Sequence, residues 1–215
     1  MSELVPIPFP GETVYYGSPG DPVVVVLHDT YGRLPWLEPF AEAVASRGFR
    51  VAVPDIFGGV CTIDDATAVE LTGNLDIGAA LAEIDDAMVG AQLTGTERVG
   101  LVGFSLGGWL ALLHAQAGAA DAVVSYYASL GMRDHGVIPC PVLLQWAEAD
   151  EWEEWEDPES FVARLKDHGT PVTQFTYVGT EHSFANATVT AHVDLQAAAL
   201  AFARTAVFLE SNLKD

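Results

Sequence analysis

Short apolar runs, each separated from the next by a segment of helical character, leave this chain few folds to choose from. They fall at residues 23–27 (VVVVL), 50–53 (RVAV), 99–104 (VGLVGF), 122–127 (AVVSYY), 142–146 (VLLQW) and 172–178 (VTQFTYV). Turn residues punctuate them: Pro19, Gly20, Asp21 and Pro22 precede the first run, while the second follows Gly48 and stops at Pro54. Most of these runs are continuously apolar rather than alternating. That pattern belongs to strands covered on both faces, as in a parallel sheet.

The intervening segments read as helices. Phe40 and Val44 share a face, and Arg47-Gly48 closes that helix; residues 75–88 and 106–117 are rich in alanine and leucine. Asp157-Pro158-Glu159-Ser160 opens another, with Asp157 as N-cap and Pro158 in the first helical position. In the last helix Leu195, Ala199, Phe202, Ala206, Leu209 and Leu213 recur every three or four residues, an apolar stripe. Strands alternating with helices predict an α/β fold, with a mostly parallel central sheet and helices on both faces. No linker-like composition shift divides the 215 residues, so one domain spanning 1–215 is expected. Ligands of such sheets sit at the carboxyl ends of the strands, so the residues just after each strand carry the interest.

Charge narrows the function. Nine Lys+Arg against 30 Asp+Glu give a net charge of −21, which repels phosphate backbones and anionic lipid. Neither nucleic acid nor a membrane is therefore expected as a partner. The uncharged stretch from 99 to 120 contains Gly100, Gly103, Gly107, Gly108, His114 and Gly118, and reads as strand, turn and helix rather than a membrane span. The amino terminus has no signal-peptide pattern, and two cysteines, Cys61 and Cys140, are too few for a disulfide framework. A soluble, cytoplasmic protein is the expectation; exposed aromatics leave a homodimer open without specifying one.

Gly103-Phe104-Ser105-Leu106-Gly107 matches G-x-S-x-G in the context that motif requires, a strand before it and a helix after it. Reversing from strand to helix at one residue strains Ser105 and lifts its hydroxyl above the sheet. The Leu106 N–H at the helix start can receive a developing oxyanion. A serine hydroxyl needs a base, and six histidines compete: His28, His114, His135, His168, His182 and His192. The nucleophile–acid–histidine chain order selects His182, in Gly179-Thr180-Glu181-His182-Ser183-Phe184 between the last strand and the last helix. The same order selects Asp150 as orienting acid, ahead of Glu148, Glu151 and Asp157. A second oxyanion donor is expected from Thr30, in the loop His28-Asp29-Thr30-Tyr31-Gly32 after the first core strand.

Other chemistries find little support. No histidine or cysteine spacing suits zinc, and Gly17–Gly20 and Gly58-Gly59 lack the P-loop and dinucleotide patterns, so neither metal nor cofactor is expected. Neither cysteine occupies an elbow. Trp146, Trp152, Trp155, Tyr31, Phe104, Trp109 and Phe184 offer an apolar pocket lining, about half of them being expected in the core instead.

Several of these segments together resemble the dienelactone hydrolase family of α/β-hydrolases, and the likeness runs over nearly the whole chain. They are Leu27-His28-Asp29-Thr30-Tyr31-Gly32, the stretch from Gly48 to Asp55, the stretch from Val99 to Gly108, Tyr126-Tyr127, and His182-Ser183-Phe184-Ala185. The resemblance implies an α/β-hydrolase fold without a large cap domain. It also implies a triad of Ser105, Asp150 and His182, with the amides of Leu106 and Thr30 as the oxyanion hole. Three departures stand out. Ser105 occupies the elbow where founding members carry cysteine, and Asp29 stands where they carry glutamate. Asn186 stands where they place a carboxylate-binding arginine, and no Lys or Arg occurs between Arg50 and Arg98. Without a guanidinium clamp a neutral ester or lactone is the expected substrate. A thioesterase or acyltransferase using the same triad, and a non-catalytic small-ligand module on the same fold, are the alternatives.

Overall fold

The computed structural model describes residues 4–92, 98–150 and 158–214. Seven strands form one sheet in the order β1-β3-β2-β4-β5-β6-β7. They are β1 (Val14–Tyr16), β2 (Val23–Leu27), β3 (Arg50–Val53), β4 (Val99–Phe104), β5 (Ala122–Tyr126), β6 (Val142–Ala149) and β7 (Val172–Glu181). β1 runs antiparallel to β3, and every other pairing is parallel. The helices are α1 (Leu37–Ala45), α2 (Asp65–Gly73), α3 (Ile77–Gln92), α4 (Leu106–Ala115), α5 (Pro158–Asp167) and α6 (Leu195–Leu213).

The period of two along each strand explains the two-faced core. Val23, Val25 and Leu27 of β2 pack with Ile84 of α3, Leu110 of α4 and Phe161 of α5. Val24 and Val26 point the other way, to Leu37 and Val44 of α1 and to Leu209 and Leu213 of α6. All five residues of β2 are fully buried, each contributing roughly 1.5–3 kcal/mol by leaving water.

From β2 the chain steps one way to β3 and then the other way to β4, so the strand order reverses beside β2. A doubly wound sheet opens a crevice at such a reversal, outside the carboxyl ends of the strands. Thr30 follows β2 and Ser105 follows β4, and both therefore lie at that crevice.

Three elements differ from expectation. β1 is only three residues long, too short for a period. α2 carries no apolar stripe, since Ala68 is its one buried residue among those described. In α6 the expected stripe holds from Phe202 onward, Phe202 being partly buried against the core beside Phe40. Leu195 and Ala199 are exposed, and the buried face passes through Ala201 and Thr205 instead. Thr205 is fully buried because its hydroxyl bonds Tyr126 Oη at 2.7 Å and accepts from Gln145 Nε2 at 2.7 Å. α5 begins at Pro158 as expected, and its proposed cap Asp157 lies outside the described residues.

Candidate active site

Ser105 is the single residue between β4 and α4, with φ 50° and ψ −117°, a region that side chains rarely occupy. Its N–H donates to Tyr126 O at 3.0 Å and its carbonyl accepts from Trp109 N at 2.9 Å, which fixes the reversal from both sides. The turn is possible because neither flanking glycine has a side chain. A Cβ on Gly103 would lie 2.0 Å from Gly107 O, and one on Gly107 would lie 2.4 Å from His28 O. The hydroxyl thus stands at the carboxyl edge of the sheet with α4 beginning beneath it.

Sheet register brings the other two groups together. Ala147 pairs with Tyr177 and Ala149 with Glu181, so two steps along β6 are matched to four along β7. Gly179 absorbs the excess at φ 77°, and its N–H donates to Glu148 Oε2 at 2.7 Å. Asp150 and His182 are the next residues after the Ala149–Glu181 pair and emerge side by side. His182 Nδ1 lies 2.8 and 2.7 Å from the two carboxylate oxygens of Asp150, and Nε2 lies 2.8 Å from Ser105 Oγ. A carboxylate only accepts, so the imidazole proton belongs on Nδ1 and Nε2 is left to accept from the serine hydroxyl. Ser183 (φ 64°) and Tyr127 (φ 40°) add two more unusual backbones, and the Tyr127 ring lies 4.8 Å from the imidazole. Strain collected at one place is typical of a working site.

Asp29 and Asn186 join the loops on either side. Both are fully buried. Asn186 Nδ2 donates to Asp29 Oδ2 at 2.8 Å, Tyr31 N donates to Oδ1 at 3.0 Å, and Asn186 Oδ1 accepts from the amides of Thr188 and Val189. The pair ties the loop bearing Thr30 to the loop bearing His182. Burial pushes the Asp29 carboxyl up to about 6, against the two hydrogen bonds that pull it down.

The remaining histidines are placed otherwise. His28 Nε2 accepts from Ile56 N at 3.1 Å, so its proton sits on Nδ1, 2.8 Å from Asp29 O; burial lowers its pKa. His114 Nε2 meets Asp85 at 2.8 Å, His192 Nδ1 meets Glu181 at 2.5 Å, and the His135 and His168 rings lie 5.1 Å apart.

A cavity of about 610 Å³ opens over Ser105 and His182. Val69, Thr72 and Gly73 of α2 wall it, with Leu75, Ile77, Leu106, Trp109, Tyr127, Ala128, Ser129, Asp134 and Thr30. Thr30 and Leu106, the expected oxyanion donors, are both among the residues that line it. Of the expected aromatic lining, Trp109 is present and the others that are described lie elsewhere. Phe104 and Phe184 are fully buried in the core, Trp146 is buried with its indole N–H on Gln174 Oε1 at 3.1 Å, and Tyr31 Oη donates to Asp65 at 2.8 Å. Asp29 and Asn186 lie behind the site, bonded to each other. Glu151, Trp152, Trp155 and Asp157 lie outside the described residues. α2 was missed because it lacks an apolar period, yet its start was legible: Asp64 caps it by accepting from Thr67 N at 2.9 Å. Among the described residues no group of three or more His, Cys, Asp or Glu side chains could hold a metal, and no helix is long and apolar enough to cross a membrane.

Comparison with known proteins gives a consistent result. Residues 12–213 match the dienelactone hydrolase family. A relative from Azospirillum brasilense, named "Putative carboxymethylenebutenolidase", is 31% identical over 215 residues, covering 92% of this chain and 90% of its own. The carboxymethylenebutenolidase of Rhodococcus opacus is 28% identical over 224 residues, covering 97% and 87%. A solved structure of a dienelactone hydrolase-like promiscuous phosphotriesterase from metagenomic libraries shares the α/β-hydrolase fold. Its TM-score is 0.74 at 20% identity, covering 93% of this chain and 92% of that one.

Proposed function

The chain belongs to the dienelactone hydrolase family, and we propose that it is a serine hydrolase of neutral carboxylic esters or lactones, acting as one domain. The observation that carries this reading is the continuous relay from Asp150 through His182 to Ser105, with contacts of 2.7 to 2.8 Å, at the floor of the cavity.

Ser105 Oγ attacks the acyl carbonyl while His182 Nε2 takes its proton. The carbonyl oxygen becomes an oxyanion held by the amides of Leu106 and Thr30, where charge develops only as the reaction proceeds. Asp150 fixes the imidazole tautomer and stabilises the imidazolium. The tetrahedral intermediate collapses, His182 gives its proton to the departing alcohol, and the acyl group stays on Ser105. A water then loses a proton to His182 and attacks the acyl carbon; as that second intermediate collapses, the bond to Ser105 Oγ breaks, His182 returns the proton to Oγ, and the acid departs. In a lactone the departing alcohol is part of the same molecule.

Support for a neutral substrate comes from what surrounds the relay. Among the described residues the lining holds neither lysine nor arginine, and Asn186 is occupied by Asp29 rather than by a ligand. An incoming carboxylate would find no bidentate partner. The test compares p-nitrophenyl valerate with the similarly sized mono-p-nitrophenyl succinate. We expect kcat/KM for the neutral ester to exceed that for the anionic one by at least about tenfold at low salt. Equal or reversed preference would refute a neutral-substrate site, and hydrolysis of neither would refute the hydrolase.

A further inference from the structure

Among the described residues that line the cavity over Ser105, Asp134 is the one acidic residue, and nothing in the mechanism uses it. Asp134 lies in the loop between β5 and β6. Its main chain is fixed: the N–H donates to Gly131 O at 3.0 Å, and the carbonyl accepts from Gln116 Nε2 at 2.8 Å, just past the end of α4. The carboxylate itself has neither a hydrogen-bond nor an ion-pair partner among the described residues. Arg133 beside it is exposed and does not line the cavity. Apart from the His182 imidazole, the other described side chains there are apolar or hydroxylic, and they include the indole of Trp109.

An uncompensated carboxylate and an aromatic ring in one apolar cavity are complementary to a large, weakly hydrated cation. Alkylammonium groups are of that kind: their methyl surface suits Val69, Leu75 and Ile77, and their charge suits Asp134. The protein's net charge of −21 draws cations toward the same place. We propose that Asp134 is the counter-ion of a cation subsite, and that the cavity, which admits neutral esters and disfavours anionic ones, binds esters bearing an alkylammonium group more tightly still. This rests on the hydrolase reading for its substrate class, but the binding step does not need Ser105 to react.

The test therefore separates binding from turnover. Acetylcholine and its uncharged isostere 3,3-dimethylbutyl acetate are titrated by calorimetry into the Ser105→Ala protein, where neither can be hydrolysed by the proposed route. Acetylcholine should bind about tenfold more tightly, by the sum of a screened ion pair and a ring contact. That preference should fall to about twofold or less when Asp134→Asn is added, survive Asp134→Glu, and shrink at high salt. Equal or weaker binding of acetylcholine, or a preference untouched by Asp134→Asn, would overturn the proposal. Turnover of the two esters by the unsubstituted protein is read separately: hydrolysis of neither sinks the serine mechanism and leaves the binding comparison standing.

Discussion

Ser105→Ala is expected to lower kcat for p-nitrophenyl butyrate by about ten-thousandfold or more, with little change in KM. Alanine removes one atom, the hydroxyl oxygen 2.8 Å from His182 Nε2, and keeps everything that shapes the elbow. The backbone at 105 is held by the Tyr126 carbonyl and the Trp109 amide, neither of which uses the side chain. The apolar cavity and the amides of Leu106 and Thr30, the proposed oxyanion donors, remain, so the ester should still bind with its carbonyl polarised. What disappears is the acyl-enzyme route, and only slow direct attack by water is left. A loss of less than about tenfold in a variant with an unchanged circular dichroism spectrum would mean that another group attacks the ester.

Asp150→Asn should cost about a thousand- to ten-thousandfold in kcat, again with KM nearly constant. The two side chains have the same shape, so packing does not change. The difference lies in the proton. Both carboxylate oxygens now sit within 2.8 Å of His182 Nδ1, and in the variant one of those positions becomes an amide NH2. A donor facing Nδ1 favours the tautomer protonated on Nε2, and that nitrogen then cannot accept from the serine. Glu148 cannot step in, since its carboxylate receives the Gly179 N–H at the bulge of β7. Retention of more than a tenth of the activity would reassign the orienting role.

How much of this was legible in the sequence depends on what kind of force places each part. The central strands were, because burial on both faces demands continuous apolar runs such as VVVVL and VGLVGF. The elbow was legible for a local reason: Gly103 and Gly107 are the only way to bring a helix that close to its own strand. The meeting of Asp150 with His182 could be anticipated from chain order, but the register that produces it could not. It depends on a bulge in which Gly179 answers Glu148, a long-range contact with no local signature. The aromatic residues misled for a physical reason. Phe104 and Phe184 are large and apolar and are spent on the core, so the cavity is lined by Trp109 and Tyr127 together with smaller residues such as Val69, Ala128 and Ser129. Thr205 shows the converse, a polar side chain outside the expected apolar stripe that hydrogen bonds with Tyr126 and Gln145 admit to the interior. Asn186 reads as a ligand-facing position by analogy, whereas the neighbouring Asp29 claims its amide.

The most direct measurement is mass spectrometry of the protein after treatment with a fluorophosphonate, which phosphonylates a serine hydroxyl only where a base and an oxyanion hole converge. The proposed mechanism predicts one adduct, on the peptide containing Ser105, that vanishes in Ser105→Ala. No adduct at all, or one carried instead by Ser129 or Ser183, would contradict it.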